Sequence, residues 1–307
     1  MKTDSQSASA QKLRTINCGM SETKTISARV INSAEEIRAV VLAAKNSGQS
    51  VGFVPTMGAL HAGHLSLIDA SVTESDLTVV SIFVNPTQFS PEEDLEKYPR
   101  PLDRDIQLLT ERGCELVFVP TSAEMYPEGI ESTVEVGPVA APFEGVSRPH
   151  HFRGVATVVS KLFQMVPADR VYFGRKDYQQ TLVVGQLIEE LNLPITMRVC
   201  PIVREPDGLA MSSRNTYLRS EQRLQAGALW QSLQLAEQSY AAGETDVIAI
   251  KKKMMQYLNR AGIDDIEYIA FVADGTVREV GTITGPTVAV IAVRFGEFRL
   301  IDNHTFG

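Results

Sequence analysis

Short apolar runs alternate with stretches of helical spacing over the first two hundred residues. Val51–Val54 predicts a strand, followed by a turn-like Pro-Thr-Met-Gly and a helix pattern from about Gly63. Leu77–Val84 is rich in β-branched residues and predicts a buried strand. Leu102–Arg112 has helical spacing, and Leu116–Val119 predicts the next strand. Val155–Val166 predicts a helix that stops at Pro167, which cannot continue one. Val171–Phe173 is a brief strand, Tyr178–Leu191 a helix, and Ile195–Val203 a strand interrupted by Pro201. This rhythm predicts an α/β fold, a parallel sheet with helices on both faces.

The pattern changes after Arg204. Ser220–Ala242 predicts one long helix, with Ser220 as N-cap and Gly243 as its stop. Val247–Arg260 predicts a second helix, closed by Gly262. Ile266–Val272, Thr287–Val293 and Phe298–Ile301 read as strands of a small antiparallel sheet, giving a smaller α+β C-terminal unit. Pro201, Pro206 and Gly208 put the boundary near 202–207. The expected division is a polar extension over 1–26, a first domain over 27–202 and a second over 203–307.

Composition narrows the class. Of 307 residues, 44% are hydrophobic and 21% charged, enough apolar material for a real core and too much for a disordered chain. The 29 Lys and Arg against 37 Asp and Glu leave a net charge of −8, so no nucleic-acid partner is expected. Phosphate can still be bound by a few local cations. Cys18, Cys114 and Cys200 lie far apart and fit neither a disulfide framework nor zinc-finger spacing, which favours a reducing, cytoplasmic setting. No apolar run reaches the roughly 18 residues of a membrane span, and the first residues lack the apolar region of a secretory signal.

The strongest chemical signal runs from Pro55 to His64 (PTMGALHAGH), after a predicted strand and into a predicted helix. Ligands of open α/β sheets bind at such strand ends. His61 and His64, three apart, share a helix face, and Gly63 permits close approach. The unpaired N–H groups of the helix start favour an anion and keep the imidazoles neutral. Two structural histidines are the bland alternative. Zinc is another, but catalytic zinc takes three protein ligands and no third His or Cys is near. Met211-Ser212-Ser213-Arg214-Asn215 offers two hydroxyls and a guanidinium in one loop, suited to triphosphate oxygens. Gly174-Arg175-Lys176-Asp177 sits between a strand and a helix, where Lys176 can offset phosphate charge and Gln180 would face the same cleft; a solvated helix start is the bland alternative. Asn85 and Gln88, neutral hydrogen bonders at a strand end, suit a small polar organic substrate, although Asn-Pro also simply starts turns. Phosphate-loop, G-x-G-x-x-G and G-x-S-x-G motifs do not occur.

The H-x-G-H turn paired with the Ser-Ser-Arg-Asn loop resembles the two ATP-gripping motifs of the nucleotidylyltransferase superfamily. Adding Ile82–Phe89, Tyr98-Pro99-Arg100, Phe143-Glu144-Gly145, Arg148–Val155, Tyr172–Gln180, Val203–Asn215 and Leu300–Asn303, the chain resembles the pantoate–β-alanine ligase family over about residues 27 to 303. The resemblance implies a Rossmann-like N-terminal domain with a smaller C-terminal lid, commonly as a homodimer. It implies that ATP, with magnesium, joins pantoate to β-alanine through a pantoyl adenylate, releasing AMP and pyrophosphate. It implies an ATP site made by Met57, Gly58, Ala59, Leu60, His61, Ala62, Gly63 and His64, with His64 as proton donor. Gly174, Arg175, Lys176, Asp177, Val203, Met211, Ser212, Ser213 and Arg214 would complete that site. His61, His64, Lys176, Ser212, Ser213 and Arg214 would act on the developing charge. Gln88, Gln180 and Asn85 would bind the organic substrates, and Asp105 would contact magnesium. His150 and Arg175 replace a small residue and an acidic or amide residue common in the family. A nucleotidylyltransferase that leaves its nucleotide on the product, and a nucleotide sensor without turnover, are the rival readings.

Overall fold

A computed structural model describes residues 28–90, 95–128 and 131–307. The polar extension expected over 1–26 lies outside the described residues. Six strands form one sheet: β1 (Arg29–Ile31), β2 (Val51–Thr56), β3 (Leu77–Ile82), β4 (Leu116–Phe118), β5 (Arg170–Gly174) and β6 (Thr196–Cys200). Their spatial order is β1-β4-β3-β2-β5-β6, and every neighbouring pair is parallel. Alternation along each strand supplies both faces of the sheet. Phe53, Val171 and Phe173 enter one apolar cluster, with the helices Ala34–Asn46 and His151–Met165. Val54, Val80 and Tyr172 enter the other, with helix Ala62–Glu74. Burial on both faces explains why these strands read as continuous apolar runs.

The C-terminal part is a three-stranded antiparallel sheet, β7 (Ile266–Ala273), β8 (Thr287–Phe295) and β9 (Phe298–Phe306), in that order. Helices Ala228–Ala241 and Val247–Arg260 cover one face through Leu229, Leu233, Ile250, Met254, Ala289 and Ile291. The other face, including Ala270, Val272, Val288 and Val290, packs around Tyr178, the first residue of helix Tyr178–Glu190. The C-terminal sheet therefore rests on the turn that carries Lys176 and Asp177.

Several sequence expectations are corrected. The single helix over 220–242 is two, Ser220–Ala226 and Ala228–Ala241, interrupted at Gly227. Arg219 rather than Ser220 holds the cap position, and its N–H donates to Gln222 Oε1. β6 ends at Cys200, because Pro201 has no N–H to extend the ladder. Beyond it Val203 pairs locally, its carbonyl accepting from Met211 N–H at 3.0 Å. β9 runs on to Phe306, past the expected end at Ile301.

Candidate active site

β2 is the strand at which the chain changes direction across the sheet. From β2 it proceeds outward through β3 to β4, and then returns to add β5 on the opposite side of β2. Such a switch opens a crevice at the carboxyl ends of the two strands. The H-x-G-H turn follows β2 and the Gly-Arg-Lys-Asp turn follows β5, so topology alone brings these two distant segments together. A cleft of about 940 Å³ lies there.

Its first wall is the loop after β2. Gly58 and Ala59 both take positive φ, at 80° and 51°. Asp105, 1% exposed, holds this bend: its carboxylate accepts from Ala59 N–H at 2.8 Å and from Leu60 N–H at 2.9 Å. Leu60 is buried in the core beneath. His61 caps helix Ala62–Glu74, its Nδ1 accepting from Gly63 N–H at 3.1 Å, so the ring proton sits on Nε2. A Cβ on Gly63 would stand 2.9 Å from His61 Cε1, so the group that needs this glycine is the neighbouring histidine ring. The His61 and His64 rings lie 4.1 Å apart. Burial, then Lys176, lowers His61 to about 4, and burial, then His61 and Lys176, lowers His64 to about 3. Both are neutral at pH 7, and burial outweighs the charge contributions in keeping them so. His64 Nδ1 is buried with no partner among the described residues.

The second wall joins β5 to the C-terminal unit. Lys176 and Asp177 line the cleft, Lys176 Nζ 3.5 Å from Asp177 Oδ1. Val203, Met211, Ser212, Ser213 and Arg214 line it from the other side. Ser212 Oγ accepts from Arg214 N–H at 3.2 Å and caps the 3-10 turn Ser213–Tyr217. Ser213 Oγ lies 3.3 Å from the Tyr98 hydroxyl.

A pocket within the cleft carries Gln88 and Gln180. Gln88 Nε2 donates toward Met57 Sδ at 3.1 Å. A Cβ on Gly154 would lie 2.4 Å from Thr87 O, so only glycine lets helix His151–Met165 press against the Gln88 turn. His151 Nδ1 lies 3.0 Å from Gln88 O, and Arg148 Nη1 lies 3.3 Å from His151 Nε2. Because guanidinium only donates, Nε2 accepts and Nδ1–H donates to the carbonyl.

The structure thus brings Met57, His61, Gly63, His64, Gly174, Lys176, Asp177, Val203, Met211, Ser212, Ser213, Arg214, Gln88, Gln180 and Asn85 to one cleft. Six expected site residues do not line it: Gly58, Ala59, Leu60 and Ala62 shape the loop and the helix start, Asp105 lies behind them, and Arg175 turns away. Arg175 Nη2 donates to Thr305 Oγ1 at 2.8 Å and to Asp274 at 3.0 Å, so its charge serves the C-terminal sheet rather than a triphosphate. Asn85, 1% exposed, spends its polar atoms inside the protein, on Gly154 O, Gln88 Oε1, Thr87 and Tyr126. Within the cleft wall it holds Gln88, its Nδ2 donating to Gln88 Oε1 at 3.1 Å. Asp105, the expected magnesium contact, lies outside the cleft lining, with each carboxylate oxygen accepting a backbone N–H. Arg148 and His151 beside Gln88, and Tyr98 beside Ser213, lie in stretches that carry the family resemblance, but sequence assigned them no role in the site.

An open parallel sheet with a neutral H-x-G-H pair at its switch point, faced by Lys176 and a Ser-Ser-Arg loop, defines an α/β enzyme of the nucleotidylyltransferase type. The family model for pantoate-beta-alanine ligase matches residues 29–305. A pantothenate synthetase of Herpetosiphon aurantiacus is 49% identical over 276 residues, covering 90% of this chain and 99% of its own. One of Thermotoga neapolitana is 47% identical, covering 91% and 100%. A crystal structure of the pantothenate synthetase of Thermus thermophilus superposes with a TM-score of 0.86 at 42% identity, covering 90% of this chain and 98% of that one. A pantoate-beta-alanine ligase from Francisella tularensis, solved with beta-gamma ATP and beta-alanine, has a TM-score of 0.76 at 34% identity, covering 90% and 97%. This chain belongs to the pantoate–β-alanine ligase family.

Proposed function

We propose that the cleft condenses pantoate with β-alanine at the expense of ATP, in two steps through a pantoyl adenylate. The observation that carries this reading is the convergence on one cleft of neutral His61 and His64 with Lys176 and with the Ser212, Ser213 and Arg214 loop. In the first step a carboxylate oxygen of pantoate attacks the α-phosphorus, and the bond from that phosphorus to the β-phosphate bridge breaks. Negative charge grows on the phosphoryl oxygens and on departing pyrophosphate. Donors held in place before the reaction stabilise that charge most effectively. His64 contributes as a neutral N–H donor, since its low basicity leaves it unprotonated at pH 7. In the second step the neutral amine of β-alanine attacks the acyl carbonyl, AMP leaves, and the amine surrenders its proton. Gln88 and Gln180 hold pantoate through neutral hydrogen bonds, and Arg148 beside Gln88 supplies a cation for a substrate carboxylate.

Magnesium, which the family resemblance implies, would be carried on the triphosphate oxygens. Among the described residues no three His, Cys, Asp or Glu side chains converge. The division into a unit over 27–202 and a lid over 203–307 is supported by the three larger apolar cores, each confined to one side of 202–207, while a smaller cluster around Tyr178 joins the two. A cytoplasmic setting is supported by unpaired Cys114 and Cys200, and a homodimer by the family resemblance alone. Among the described residues no helix is long and apolar enough to cross a membrane.

The test is an end-product assay with ATP, pantoate and β-alanine. AMP, pyrophosphate and the amide in equal amounts are expected. A dinucleotide product, or ATP binding without pyrophosphate release, overturns the reading.

A further inference from the structure

Two adjacent residues of β9, Asp302 and Asn303, are each 2% exposed, although both are polar and both line the cleft wall. They hold opposite sides of the site. Asn303 Nδ2 donates to the carbonyl of Arg175 at 2.9 Å and to that of Lys176 at 3.0 Å. One amide thereby fixes two consecutive peptide groups of the turn that carries Lys176. Its Oδ1 is buried with no partner among the described residues, so the two carbonyls alone orient the amide. Flipping it would set three oxygens against one another.

Asp302 faces the other way. Its carboxylate accepts from Arg204 at 2.6 Å and 3.0 Å, and from Asn303 N–H at 2.7 Å. The Arg204 guanidinium stacks 3.7 Å from the Trp230 ring and donates to Gly208 O at 3.0 Å. Arg204 also bridges Ala210, and Met211 N–H returns to Val203 O, so the arm that delivers Ser212, Ser213 and Arg214 is built around this guanidinium. On the opposite wall Arg175, one residue before Lys176, ties its own side chain to Thr305 of the same strand.

We infer that Asn303 and Asp302 are positioning residues that use β9 as a ruler, setting the separation between Lys176 and the Ser212–Arg214 loop to suit a triphosphate. Neither needs to touch the reacting atoms; Asn303 acts through the peptide carrying Lys176, and Asp302 through Arg204. The inference rests on the reading of the cleft as an ATP site and adds the element that joins its halves. Loss of Asn303 therefore weakens ATP binding while leaving pantoate, held by Gln88 and Gln180 elsewhere in the cleft, little affected.

The experiment is a double-substitution cycle on the intact chain, reading the dissociation constant for ATP by calorimetry. Asn303→Ala alone is expected to weaken ATP by about tenfold, the scale of losing a buried hydrogen-bonded group, with the KM for pantoate within about twofold. In a Lys176→Ala background the same substitution should weaken ATP by less than about threefold, because residues acting as a unit are not additive. Asn303→Ser, which keeps a donor, should restore part of the affinity. Equal effects in both backgrounds, or equal losses for ATP and pantoate, overturn the inference and leave Asn303 a structural residue. Should Asn303→Ala fail to fold, Asn303→Ser in the same two backgrounds decides by the same criterion. The unsubstituted chain is assayed alongside for the amide product. Absence of product there counts against the ligase reading, whereas missing coupling in an active enzyme counts against the ruler.

Discussion

The Met57–His64 turn and the Ser212–Arg214 loop face one cleft, yet they are held in different ways. The turn grows out of a central strand of the sheet, has Leu60 and Leu65 in the core beneath it, and is tied to Asp105 through two backbone hydrogen bonds. The loop stands on an arm anchored by Leu209 in the C-terminal core, and its other ties are polar contacts. These are Arg204 with Asp302, Arg223 with Glu205 and Asp207, and Asn215 with Glu205. Its own residues are half-buried and none enters an apolar core. A site that must admit ATP and then exclude water needs one wall that stays and one that can leave. On the proposed function, the first wall would supply geometry and the second access.

The largest effect that would sharpen this contrast is at His64. His64→Ala should cut turnover at least about a hundredfold, the scale of removing one preorganised donor, while melting like the parent. Near-parental turnover in a folded variant would remove His64 from the chemistry. Gln88→Ala and Gln180→Ala come next, each weakening pantoate use about ten- to a hundredfold, as an unpaired buried polar partner does, with ATP affinity nearly kept. A loss confined to ATP would show that the cleft is divided differently. Hydrogen exchange at Ser212–Asn215 should slow on adding ATP, whereas exchange at Met57–His64 should change little. Equal slowing at both walls, or none at the loop, breaks the comparison.

The smallest effect is on pH-dependent stability. His61 and His64 titrate in the folded protein near 4 and 3, below the ordinary histidine value of 6.5. The unfolded chain therefore takes up their protons first as pH falls. Their contribution to stability is complete above about pH 6.5 and is lost progressively between there and pH 3. The melting temperature should drop across that window, and less steeply in a His61→Gln, His64→Gln double variant. An unchanged slope would mean that the two imidazoles are not held neutral by burial.

The same contrast explains what could be read from sequence. The H-x-G-H turn is contiguous, lies between an apolar run and a helical pattern, and declares itself locally. Its anchor Asp105 lies 45 residues from Leu60 in sequence, and no local pattern pairs the two. β1 spans three residues, too few to show a period, although the helix after it carries a cap at Ser33 and buried Ile37 and Val41 one turn apart. The apolar pattern of β9 stops at Ile301 because Asp302, Asn303, His304 and Thr305 break the run, yet the strand continues. Asp302 faces the arm, Asn303 and Thr305 face the Lys176 turn, and His304 faces Glu237 of helix Ala228–Ala241. The Arg204–Asp302 pair, 98 residues apart, and the Arg299–Glu144 pair, 155 apart, bring together segments whose partners only the fold reveals. Long-range charge pairing, more than secondary structure, was hidden.

The central claim is that the two walls grip ATP so that the α-phosphorus is the electrophile and pyrophosphate the leaving group. Pantoate labelled with heavy oxygen in its carboxylate tests this most directly. The account predicts one labelled oxygen in AMP for each amide formed, because the carboxylate oxygen that attacks phosphorus departs with it. Label in inorganic phosphate, with ADP as the nucleotide product, would place the attack at the γ-phosphorus and contradict the account.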